Sequence, residues 1–79
     1  MSWHVTVTEG HVFVSVFDPL SEDDWEALYD EIVEKGKAHG AVTVVLPATL
    51  PSTMGMAEEL NRSLASTLRK RGFAVVLDD

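Results

Sequence analysis

The 79-residue chain has no cysteine, which excludes disulfides, thiolate nucleophiles and cysteine-ligated zinc within it and leaves the redox compartment open. Proline and glycine are sparse, at three and five residues, while 46% of the chain is hydrophobic; that balance argues against extended disorder or low complexity. Long apolar runs are missing as well. The stretch Phe73 to Leu77 falls far short of the roughly 20 residues a membrane-crossing helix needs, and the first residues show neither the basic nor the apolar region of a secretion signal. Basic residues are few: six Lys plus Arg stand against 13 Asp plus Glu, a net charge of −7. A field of that sign disfavours phosphate backbones and anionic lipid, so neither a nucleic acid nor a membrane is expected as partner. A single soluble, cytoplasmic domain covering residues 1–79 is the expectation, because a chain this short has room for one modest core.

The residues present alternate between strand and helix periods. Trp3 to Thr8 alternates large apolar with polar side chains, the period-two mark of a strand with one wet face. Glu9-Gly10 permits a reversal into a second strand, His11 to Phe17. A plain two-residue turn puts Trp3, Val5 and Val7 on the face of Val12, Val14 and Val16; a turn with Gly10 as a bulge puts them with His11, Phe13 and Phe17. Either way the second strand carries apolar groups on both sides and belongs in the sheet interior. Asp18-Pro19 breaks it, and Ser21 followed by Glu22, Asp23 and Asp24 reads as a capping box at a helix N-terminus. Trp25, Leu28, Tyr29, Ile32, Val33 and Gly36 then return at three- and four-residue steps as a stripe to pack against a sheet. Gly40 fits the helix end, Ala41 to Leu46 a buried strand, and Ser52 or Thr53 the start of a second helix running toward Arg71 on Met56, Leu60, Leu64 and Leu68. Gly72 ends that helix before a last strand, Phe73 to Leu77.

This order predicts an α/β fold: a two-layer β-β-α-β-α-β arrangement with a four-stranded mixed sheet in the order 1-2-3-4. Both strand-helix-strand units have the length of a right-handed crossover, so two crossovers in the same direction place both helices on one side and leave the other side open. Reversing one crossover would put the helices on opposite sides. On the first arrangement an apolar patch faces water, at roughly 25 cal/mol per Å², and self-association is the expected remedy. Trp3, Phe13, Phe17 and Val45 are the candidate oligomer-interface residues, and a homodimer is the expected form.

Chemistry is thinly represented. His4, His11 and His39 lie apart with no close imidazole pair, so no metal site is expected, and no cofactor either. The carboxylates mostly decorate a helix surface; Arg62, Arg69, Lys70 and Arg71 suit a helix C-terminus. Ser52 and Thr53 can cap the second helix, but with no positioned base or oxyanion donor in evidence, hydroxyls do not make a nucleophile. No catalytic residue is assigned, and an interaction module is favoured over a small enzyme using Asp18, Ser52 or Thr53. The specific local feature is the segment Ser52-Thr53-Met54-Gly55-Met56: a helix-entry hydroxyl that could take a phosphate, a glycine permitting close approach, and adaptable methionines.

From residue 11 to 77 this arrangement resembles the STAS domain family, which includes anti-anti-sigma-factor proteins and the SpoIIAA-like group. In that family a strand ends near an Asp, and an Asp-Ser-Ser-Gly-apolar loop introduces the second helix. Asp18 resembles the first feature. Ser52 stands in the place of the loop Asp, Thr53 in that of the regulatory Ser, and Gly55 in that of the Gly. The resemblance implies a non-enzymatic docking domain that binds a regulatory protein partner, with Asp18 and Ser52 to Met56 as the partner-binding residues and Thr53 as the candidate phosphorylation site.

Overall fold

The computed structural model describes residues 3–47 and 57–78. Its elements run β1 (Trp3–Thr8), β2 (His11–Val16), α1 (Glu22–Ala38), β3 (Thr43–Pro47), α2 (Ala57–Lys70) and β4 (Ala74–Asp78), and the sheet order is β1-β2-β3-β4. The β1–β2 pair is antiparallel and the other two are parallel, as the crossover rule predicts.

The hairpin turn takes the plain two-residue form. Glu9 and Gly10 both have positive φ, 51° and 79°, the signature of a type I′ turn whose twist matches the strands it joins. Val5 therefore pairs with Val14 and Val7 with Val12, so the valines of both strands share one face with Trp3. That face packs against the helices. Val12 and Val44, paired across β2 and β3, are fully buried, together with Leu28, Ile32 and Leu68 from the helix layer.

Helix ends are set by local chemistry. At the start of α1 the Asp24 backbone N–H donates to Ser21 Oγ (3.2 Å) while the Ser21 N–H donates to Asp24 Oδ2 (3.0 Å), so two orphan donors are satisfied reciprocally. Both helices finish in the same way. Gly40 (φ 66°) and Gly72 (φ 96°) take the left-handed conformation, and the next residue donates back into the helix, Ala41 N–H to Gly36 O and Phe73 N–H to Leu68 O. This Schellman geometry explains why β3 starts at Thr43 and β4 at Ala74, two residues and one residue later than apolarity alone predicts. Ala41 and Phe73 are buried, but their backbone belongs to a helix cap.

The two helices lie on one side of the sheet. α1 packs over β1 and β2, α2 over β4, and the helices touch each other. Gly36 of α1 packs tightly against the residue that precedes β4: a Cβ there would lie 2.8 Å from the Phe73 ring.

Candidate functional site

With the helices on one side, the opposite side of the sheet consists of every second strand residue. Twelve positions point there, three from each strand. Their central row is read directly from the register: Thr6 opposite Phe13, Phe13 beside Val45, Val45 beside Val76. Phe13 and Val76 are 42% and 49% exposed, and Val45 is half-buried between them. The next row is Thr8, His11, Thr43 and Ala74. His11 and Phe13, two residues apart, stack with ring centroids 6.0 Å apart. At the other end of the strands a shallow depression of about 340 Å³ is bordered by Phe13, Ser15, Val45, Pro47 and Asp78.

Charge is distributed very differently on the two sides. Of the 19 charged side chains, α1 carries nine and α2 five. Among the twelve open-face positions Asp78, at a corner, is the one Asp, Glu, Lys or Arg. Depletion of charge around an apolar centre with a hydroxyl and imidazole border is the composition of an interface core and its rim.

The residues expected to form sites fall in three places. Phe13 and Val45 are neighbours on the open face, and Phe17, 66% exposed, lies just past the end of β2. Trp3 is on the helix-facing side, opposite Val16, with its indole Nε1 donating to Glu31 Oε1 at 3.3 Å; the structure does not bring it together with Phe13 and Val45. Asp18 sits exposed in the bend after β2. Ser52, Thr53, Met54, Gly55 and Met56 lie outside the described residues, so the structural case rests on the sheet. The register adds Val76 to this row, beside Val45 and in line with Phe13.

A second concavity, about 420 Å³, runs between α1 and α2 past Trp25, Tyr29, Leu60, Leu64 and Thr67. The Trp25 indole N–H is buried there without a hydrogen-bond partner among the described residues. Arg71 closes over Tyr29, its Nε donating to the phenol oxygen at 2.8 Å with the guanidinium 5.9 Å from the ring centre. Among the described residues no group of three or more His, Asp or Glu side chains is placed to hold a metal ion, and no helix is long and apolar enough to cross a membrane.

Comparison of the chain with protein-family models, curated proteins and solved structures finds no match. The functional reading is therefore carried by geometry.

Proposed function

We propose that this chain is a protein-interaction module, and that its partner is a second copy of itself docked through the open side of the sheet, making it a subunit of a homo-oligomeric assembly. The observation that supports this reading is the row Phe13–Val45–Val76 at the centre of a face with one formal charge, on a protein whose net charge is −7. Association back to back brings these charge-poor faces together and turns the acidic helix layers outward. With layers spaced by about 10 Å, the helices of the two copies stand about 30 Å apart, several times the Debye length of about 8 Å at physiological salt, so their repulsion is largely screened.

Area limits the strength of such a contact. Four strands about 4.8 Å apart, with five or six residues each rising about 3.3 Å, make a face of about 350 Å² in projection. Interfaces of standard size bury about 800 Å² of accessible surface per partner. One face alone belongs at the low end, in the range of concentration-dependent, reversible association.

Sedimentation across a dilution series tests the reading. The wild type should exceed its monomer mass of 8.7 kDa at high concentration, and Val45→Lys, which plants an unpaired ammonium at the centre of the face, should shift the transition to at least tenfold higher concentration, the equivalent of about 1.4 kcal/mol. A wild type that stays monomeric at millimolar concentration, or a Val45→Lys variant that assembles like the wild type, overturns it.

A further inference from the structure

The two edges of the sheet are treated differently. In the β1–β2 hairpin, Thr8 and His11 close the two-residue turn as a hydrogen-bonded pair, so Val5 belongs to the alternate set whose backbone groups point away from β2, out of the sheet. The Val5 carbonyl is not left open: Lys35 Nζ donates to it at 3.1 Å. Lys35 is steadied by Glu31 at 3.3 Å, and Glu31 also accepts the Trp3 indole N–H. A lysine from α1 thus blocks the β1 edge against addition of another strand.

At the β4 edge no such block is present among the described residues. The Ala74 N–H donates to Val42 O at 2.9 Å, so Ala74, Val76 and Asp78 turn their backbone groups toward β3, and Val75 and Leu77 turn theirs outward. β4 is also the most exposed strand, with only Val75 partly covered and Leu77 50% exposed. It contains no proline or lysine.

Charge follows the same division. Residues 1–47 hold nine carboxylates and two lysines, the whole net charge of −7. Residues 57–79 hold four cations and four carboxylates. The β4 edge lies in the electrically balanced half of an acidic protein, with Arg69 and Lys70 before the strand and Asp78 at its end.

We propose that β4 is a second docking surface, and that its occupant is β4 of another copy, paired antiparallel. With Val76 opposite Val76 of the second copy, Val75 and Leu77 each face the other's counterpart, and the outward backbone groups of both strands are satisfied by four hydrogen bonds. Antiparallel pairing also sets the basic entrance of each β4 toward the acidic end of the other. The product is an eight-stranded sheet with β1 at both outer edges, each blocked by its own Lys35, so growth stops at two chains instead of continuing into a filament. The pairing is independent of the back-to-back reading. It also doubles the open face to about 700 Å² in projection, and on that reading two such dimers would close as a tetramer.

The test combines amide hydrogen exchange on the wild type with the masses of two variants. Exchange at Val75 and Leu77 should slow about fivefold when the total protein is raised to about ten times its dissociation constant, a readout that docking through the open face does not produce. Leu77→Pro removes an outward N–H that has no partner among the described residues, and should leave only face-to-face dimers; Val45→Lys should leave only edge-paired dimers. If Leu77→Pro assembles like the wild type while Val45→Lys is monomeric, the edge proposal falls and the face reading stands. If Leu77→Pro is monomeric and Val45→Lys assembles like the wild type, the edge stands and the face reading falls. Unprotected Val75 and Leu77 amides in the assembled wild type overturn the edge proposal however the variants behave, and a wild type that never assembles overturns both.

Discussion

Replacing Gly36 by alanine sets two effects of known size against each other. Gly36 sits in the last turn of α1, three residues before its C-cap His39, where alanine gains at most about 1 kcal/mol over glycine in helix propensity. The added methyl, however, would meet Cε1 and Cζ of Phe73 at 2.8 Å, whereas carbon atoms in contact prefer about 3.5–4.0 Å. The ring cannot retreat freely: Phe73 is 7% exposed, and its own N–H is tied to Leu68 O in the cap of α2. Overpacking of this kind costs about 1–3 kcal/mol, so the net effect of Gly36→Ala should be a loss of about 1 kcal/mol. With a urea slope of about 1 kcal/mol per molar for a protein this small, the midpoint should fall by about 1 M. Phe73→Leu should be destabilising alone but should relieve the clash, giving a favourable coupling of about 1–2 kcal/mol in the double-mutant cycle. A Gly36→Ala variant more stable than the wild type by the full propensity gain would refute the close approach of α1 to the start of β4.

Two further outcomes follow from particular contacts. Glu9→Asn places a residue tolerant of positive φ beside Gly10 and should stabilise the hairpin by about 0.5–1 kcal/mol, read from the same urea titration; a loss would mean that the turn is not type I′. Lys35→Met keeps the aliphatic stem but removes the donor from Val5 O, so the β1 edge opens and sedimentation should show species growing beyond the wild-type assembly with concentration.

Much of the fold was legible because each element carried its own local signal. The capping box at Ser21 and the helix-ending glycines at 40 and 72 act within a few residues, and the spacing of Trp25, Leu28, Ile32 and Gly36 names a buried side without reference to any partner. The β-β-α-β-α-β order followed from those signals, and the mixed sheet followed from crossover length. What periodicity misjudged were the first residues of β3 and β4: Ala41 and Phe73 are as apolar as strand residues, but their hydrogen bonds return to the preceding helix.

The open face and the unequal edges required the assembled chain. Glu-Gly is compatible with two hairpin registers, and a shift between them exchanges Phe13 for Val12 and Val14 on the exposed side; the turn dihedrals resolve it because backbone sign at Glu9 sets which residues pair. Likewise, both crossover directions satisfy the same apolar stripes, and only the packing of α1 against α2 reveals a shared side. Lys35 looks like one more solvated cation on a helix surface, and its role appears only where α1 lies across the rim of β1. Local hydrogen bonding and side-chain period, written into neighbouring residues, determined the elements of this protein; tertiary structure decided which face and which edge stay open, because those depend on groups that meet across about 30 residues of chain.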